Sequence, residues 1–194
     1  MKTNNRKQRL STAYRAALDG VLAALCVALS ALESALPDVA FLPPGAKLGF
    51  ANLPLMAAVL TVGRADGLFL LLVKCGFALL TRGVPAFFMS AAGSLLSYLS
   101  LLLLPLLFEK TGRDYTCVFL SVVSAVLHNL GQLAAACVYT GTNLFPAYLP
   151  ILLVFGAVAG VITGLVLRAV LPVVTKRIQQ MRSHIQSKKG NDAK

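Results

Sequence analysis

Six apolar runs separated by short polar breaks dominate the pattern of this 194-residue chain. A membrane-spanning helix needs about 20 apolar residues, and the first and the last three runs reach that length. The second and third runs are shorter and are joined by a glycine-flanked polar turn at residues 63–67. The pattern therefore predicts six spanning helices, over residues 14–36, 48–62, 65–81, 85–108, 115–140 and 145–170.

The composition agrees with a protein that folds in lipid. Hydrophobic residues make up 57% of the chain and charged residues only 13%, whereas soluble domains carry about 25% charged residues. We therefore predict an all-α, polytopic membrane helix bundle with the bilayer as its solvent. One transmembrane domain over residues 14–172 would lie between a basic N-terminus, 1–13, and a basic tail, 173–194.

Positive charge is concentrated at the two ends of the chain, which has a net charge of +11. Lys and Arg flanking membrane spans favour the cytoplasm, so six spans place both termini there, in a multi-pass protein of the cell membrane. Five spans, with a re-entrant second run, remain the alternative, although they would separate the basic ends. No basic stretch alternates with aromatic residues as in single-strand binders, so nucleic acid is not a predicted partner.

The segment 41–52 interrupts the apolar pattern with prolines, glycines, Lys47 and Asn52. Irregular backbone within a membrane protein needs hydrogen-bond partners that lipid does not supply. The segment is therefore expected either at the membrane surface or along a cavity. A cavity in a small helix bundle would be a candidate ligand site.

Two ionisable residues fall within predicted spans. Lys74 lies in the middle of the third run, where a charge is costly and faces the bundle interior. Either it pairs with Glu33, or it holds an anionic group of a ligand. Asp19 lies four residues after Arg15, a spacing that predicts an ion pair between them.

Three polar residues of the fifth run, His128, Asn129 and Gln132, lie within one helical turn. Such groups often form hydrogen bonds between membrane helices. Together with Asn52 and Lys74 they also favour a ligand pocket, because their donors and acceptors would converge on one space.

The remaining motifs exclude several kinds of chemistry. Four cysteines lie in apolar runs without a Cys-x-x-Cys pair, and the chain has two histidines. We therefore predict no metal and no cofactor. A phosphate-binding Gly-x-x-x-x-Gly-Lys-Ser/Thr loop is also missing from the sequence, so any energy for transport would come from partner subunits.

Small residues recur every four positions in two of the predicted spans. Such stripes allow close approach of helix backbones. The first stripe is predicted either to dock a partner or to pack internally, and internal packing is favoured for the last one. They comprise Ala16, Gly20, Ala24 and Ala28 in the first span, and Gly156, Gly160 and Gly164 in the last.

Several stretches resemble the Gx transporter family, which is also known as heptaprenyl diphosphate synthase component I. They include Pro-Gly-Ala-Lys-Leu-Gly-Phe-Ala-Asn at 44–52, Ala-Ala-Gly-Ser-Leu-Leu-Ser at 91–97 and His-Asn-Leu-Gly-Gln at 128–132. The resemblance covers nearly all of residues 14–172. Lys74 departs from the arginine expected there, which keeps the charge but not a bidentate grip.

The family is similar to the substrate-binding S components of energy-coupling factor transporters. This resemblance implies a non-enzymatic subunit that takes up a small hydrophobic or anionic solute, with a transmembrane coupling protein and ATPases as partners. It implies that Ala24 and Ala28 dock the coupling protein. The implied ligand contacts are Lys47, Asn52, Lys74, His128, Asn129 and Gln132.

Two other functions remain open. The chain would be an accessory membrane subunit of heptaprenyl diphosphate synthesis, because its scattered aspartates do not form the magnesium-binding cluster of a prenyl synthase. Alternatively, it would be a membrane scaffold for quinone- or flavin-linked electron transfer.

Overall fold

The computed structural model describes residues 12–35, 49–112 and 114–191, all of which belong to helices or to the short turns between them. The all-α prediction is therefore confirmed over this part of the chain. The six helices found there are α1 (Thr12–Ala35), α2 (Asn52–Thr61), α3 (Arg64–Arg82), α4 (Val84–Thr111), α5 (Cys117–Thr140) and α6 (Phe145–Asn191).

Four of these helices are long and apolar enough to cross a membrane, counted over the described residues: α1, α4, α5 and α6. In contrast, α2 has 10 residues and rises about 15 Å, half of a hydrocarbon core of about 30 Å. The third helix has 19 residues but carries Arg64, Asp66, Lys74 and Arg82. A multi-pass membrane protein is thus supported, while the count of six spans remains a prediction.

The last helix continues well beyond the predicted end of its span. It contains 47 residues and includes Pro150 and Pro172. A proline ends many helices in water, but neighbouring helices and local adjustments satisfy the freed carbonyls in membrane helices. The polar tail that we predicted from residue 173 is therefore a direct continuation of α6.

Glycines allow α6 and α5 to pack closely. A Cβ on Gly160 would lie 2.5 Å from Val122 Cα, and one on Gly164 would lie 2.7 Å from Val118 Cα. At Gly156 the same atom would meet the side chain of Asn129 at 2.9 Å. The glycine stripe of the last span thus packs internally.

A reciprocal glycine contact joins α4 and α5. A Cβ on Gly93 would lie 2.7 Å from the carbonyl oxygen of His128, and one on Gly131 would lie 2.6 Å from that of Ala92. Close approach of these backbones fixes the position of the polar turn of α5 against α4.

The small-residue stripe of α1 faces away from the bundle. Ala16, Gly20, Ala24 and Ala28 are all exposed, and a Cβ on Gly20 would meet no atom within 4 Å. The stripe therefore does not serve packing against the other described helices.

One end of α1 is held to α3 by an ion pair that the sequence did not predict. Arg15 Nε donates to Asp66 Oδ1 at 2.6 Å, and its Nη2 donates to Oδ2 at 2.8 Å. The spacing of Arg15 and Asp19 favoured a pair between those two, which was wrong about the principal partner. Asp66 is buried in the first turn of α3, so it gains more from a bidentate guanidinium than a partly exposed Asp19 would.

The apolar core lies around α2, which is short but almost wholly buried. Its Leu55 and Met56 belong to one buried cluster with Leu101, Leu120 and Leu167 from three other helices. Burial of α2 at the centre positions its first residue, Asn52, inside the bundle rather than at a membrane surface.

Candidate functional site

Polar side chains from four helices meet in a small cavity next to the start of α2. Its volume of about 10 Å³ is room for about one water molecule. The described residues that line it are Ser30, Glu33, Lys74, Arg82, Ala86, Met89, Ser90, His128 and Gln132.

Lys74 is positioned by a chain of buried hydrogen bonds. Its Nζ donates to Asn52 Oδ1 at 2.8 Å, and Asn52 Nδ2 donates to Ser97 Oγ at 3.1 Å. Ser97 Oγ in turn lies 2.6 Å from Ser124 Oγ. Because the two hydroxyls and the amide fix one another, the ammonium of Lys74 is held at the cavity wall.

This arrangement bears on the predicted pair between Lys74 and Glu33. Both residues line the cavity, but the hydrogen bond recorded for the Lys74 ammonium goes to Asn52. Glu33 Oε1 accepts from the backbone N–H of Phe50 at 2.5 Å. The carboxylate therefore ties α1 to the turn that precedes α2.

That turn covers one side of His128. Gly49 has a φ of +90°, a conformation that glycine adopts far more readily than other residues. A Cβ at Gly49 would lie 3.1 Å from His128 Cδ2, so the glycine also permits close contact with the ring. Asn52 N–H donates to the Gly49 carbonyl at 2.9 Å and closes the turn.

His128 and Gln132 contact each other within the cavity wall. Their Nε2 atoms lie 2.6 Å apart, so the Gln132 amide donates and the imidazole nitrogen accepts. His128 is only 1% exposed, and its Nδ1 has no hydrogen-bond partner within the described part of the chain. An unsatisfied buried imidazole nitrogen is costly, so a polar ligand group that bonded to it would be stabilised.

The other predicted contacts lie elsewhere. Asn129 Nδ2 donates to the carbonyl of Leu152 on α6 at 3.0 Å, so this side chain ties α5 to α6 rather than lining the cavity. Asn52 accepts the hydrogen bond of Lys74 but is not among the lining residues. Lys47 lies outside the described residues.

Sequence reasoning did not place Arg82, Ser30 or Ser90 at this site. Arg82 was expected in a polar turn, yet it lies eight residues after Lys74 and so on the same face of α3. Ser30 similarly precedes Glu33 by one helical turn on α1. Both spacings are visible in the sequence. A long apolar run, however, does not indicate which face of the helix points to the interior of the bundle.

The cavity combines two basic side chains with one carboxylate. It offers hydrogen-bonding groups and positive charge, which suit a small anionic or strongly polar ligand group. In the described part of the chain, no three His, Cys, Asp or Glu side chains come together as a metal site would require.

A second, apolar cavity between α3, α4 and α5 is open to the outer surface of the bundle, where its wall residues Val138 and Tyr139 are exposed. It has a volume of about 730 Å³. Its walls are Leu71, Phe88, Ala91, Ala92, Leu95, Ala134, Ala135, Val138 and Tyr139. Aliphatic and aromatic walls of this kind fit a hydrocarbon chain.

The fold and the site together define a multi-pass helical membrane protein with a buried polar cavity. Among known protein families, the model for heptaprenyl diphosphate synthase component I matches residues 22–170. The chain therefore belongs to this family, as the motifs at 44–52 and 128–132 predicted. No curated protein and no solved structure matches the chain.

Proposed function

We propose that this protein is the substrate-binding membrane subunit of an uptake system for a small anionic solute, and that it is not itself an enzyme. The buried cavity around Lys74 carries this proposal. Ionisable residues within a membrane are rare and usually mark a substrate or ion pathway. Here Lys74, Arg82 and Glu33 meet around one space, which packing alone does not require.

In this proposal, Lys74, His128 and Gln132 contact the ligand. Asn52 holds Lys74 in place, and Lys47, outside the described residues, remains a predicted ligand contact. The turn at Gly49 and Phe50 lies against His128 beside the site, and its movement would admit the ligand. Asn129, which bonds to α6, is assigned to helix packing.

The exposed stripe on α1 supports a partner protein. Alanines at positions 24 and 28 leave a shallow surface on which another membrane helix can pack closely. A coupling protein docked there would connect this subunit to ATPases, which the proposal requires because the sequence has no nucleotide-binding loop. Both termini would be cytoplasmic, on the side of the ATPases.

The test is the composition of the native complex. The protein would be purified from native membranes in mild detergent and analysed by native mass spectrometry. We expect a coupling protein, ATPase subunits and a bound small molecule. A bare chain without any of them would contradict the proposal.

The family description favours one alternative, an accessory membrane subunit of heptaprenyl diphosphate synthase. The apolar cavity between α3, α4 and α5 is compatible with a prenyl chain. The same purification separates the two functions, because the alternative predicts a soluble prenyl synthase in place of ATPases.

A further inference from the structure

The charges lining the polar cavity limit what it can bind. Lys74 and Arg82 supply two positive charges, and Glu33 supplies one negative charge. Gln132 and the His128 imidazole, counted as neutral, add hydrogen-bonding groups without charge. The described walls therefore carry a net charge of about +1, and a buried ligand charge must be matched by its surroundings.

The size of the cavity sets a second requirement, because any anion larger than water binds only if the cavity enlarges. Its volume of about 10 Å³ fits one water-sized group. The Gly49–Asn52 turn lies beside it, against the lining residue His128, and is held by the hydrogen bond from Phe50 to Glu33.

A diphosphate demands more than these walls provide. Proteins bind its several charged oxygens with clusters of basic side chains or with Mg²⁺ held by carboxylates. Glu33 is the one carboxylate among the described lining residues, and it already accepts the Phe50 N–H. Lys74 is a compact point charge rather than a bidentate clamp.

We propose that the ligand group bound in this cavity is a monoanion, specifically a carboxylate, and that the cavity does not accept a diphosphate. The inference rests on the proposed binding function of the same site. Lys74 Nζ uses one of its three N–H groups on Asn52. An ionised carboxylate brings only acceptors and a single charge, which matches the remaining donors and the net charge.

A native cysteine reports on the site. Cys75 is buried, and its Sγ lies 3.9 Å from Oγ of the lining residue Ser90. Its alkylation by a small thiol reagent requires opening of this region. Cys117 and Cys137 do not line the cavity and act as internal controls when peptide mass spectrometry quantifies each cysteine separately.

The experiment uses the full-length protein in neutral phosphatidylcholine nanodiscs. Alkylation is followed during titration with acetate or inorganic diphosphate, with chloride added to equal ionic strength. We expect acetate at twice its Kd to slow Cys75 alkylation about threefold and to leave Cys117 and Cys137 unchanged. Diphosphate should give no protection above chloride.

Two variants link the protection to Lys74. Lys74→Met should abolish protection by acetate, whereas Lys74→Arg should retain it. Unchanged alkylation of Cys117 and Cys137 in the absence of added anion shows that a variant is folded. If Lys74→Met does not fold, Lys74→Arg provides the test. Protection by diphosphate that exceeds that by acetate, or no protection by acetate, would overturn the inference.

Such a result would leave the proposed uptake function to its own test. A complex with coupling protein and ATPases could still form around a ligand of different charge. Conversely, acetate protection in a protein that purifies without ATPases would keep the carboxylate site and remove the transport role.

Discussion

Lys74 on α3 donates its hydrogen bond to Asn52 on α2 at 2.8 Å, and both side chains are buried. The two residues link the cavity wall to the Ser97–Ser124 hydroxyl pair. Asn52 thus determines where the ammonium points. The first two predictions concern this network and the helix contacts that support it.

Asn52→Ala should destabilise the protein by about 1–3 kcal/mol, because it leaves the buried Lys74 and Ser97 groups without their partner. Thermal unfolding in detergent would measure the loss. The double substitution Asn52→Ala with Lys74→Met, which also removes the cation, should restore part of the lost stability. Strictly additive effects of the two substitutions would show that the pair is not energetically coupled.

Gly160→Ala should destabilise the bundle by about 1–3 kcal/mol, since its new methyl group overlaps the Val122 backbone and forces α6 away from α5. Gly20→Ala is the matched control. Its methyl group meets no atom within 4 Å, and alanine favours helix over glycine by up to about 1 kcal/mol. Equal unfolding temperatures for the two variants would contradict the glycine contact.

Asp66→Asn should lower stability by about 1–3 kcal/mol, because it removes the charge that receives both hydrogen bonds of Arg15. Unfolding in detergent again provides the measurement. Asp114→Asn, at an exposed position before α5, should change stability by less than about 0.5 kcal/mol. If Asp66→Asn left the stability unchanged, α1 would be held to α3 by apolar contacts alone.

Ala24→Leu should leave unfolding temperature and ligand binding unchanged but abolish copurification with the coupling protein, because the larger side chain fills the shallow face of α1. Ala169→Leu makes the same change at an exposed position of α6 and should keep the complex intact. Loss of ligand binding in Ala24→Leu would count against a docking role.

Six spans predict opposite sides for two exposed positions. Thr142→Cys should react with a membrane-impermeant thiol reagent in intact cells, whereas Thr111→Cys should react only after permeabilisation. With a cytoplasmic N-terminus and a re-entrant second run, the two results would be exchanged. Cys26 and Cys75 are buried, but Cys117 and Cys137 are partly exposed, so labelling of the unsubstituted chain is subtracted as background.

The helices were largely predictable because lipid makes long apolar runs obligatory. The predicted fourth span, 85–108, and the helix Val84–Thr111 differ by a few residues at either end. The glycine stripe at 156, 160 and 164 was also readable, since only close backbone contact requires glycine at that spacing. Both features depend on local sequence.

Partners across the bundle were not predictable in the same way. Arg15 has Asp19 one turn away along its own helix, yet it binds Asp66, which is 51 residues distant in sequence. Asn129 and His128 are neighbours, yet one faces α6 and the other the cavity. Which face of a uniformly apolar helix points inward depends on tertiary packing, which periodicity does not reveal here.

Lys74 also has a consequence for how the chain enters the bilayer during synthesis. A lysine at the centre of a helix costs about 2.5–3.5 kcal/mol on insertion, so α3 is a poor candidate to leave the translocon alone. Its partner Asn52 lies earlier in the chain, and only Val62 and Gly63 separate α2 from α3. In the predicted six-span topology, these two helices would insert together as one hairpin in which Lys74 is already hydrogen-bonded to Asn52.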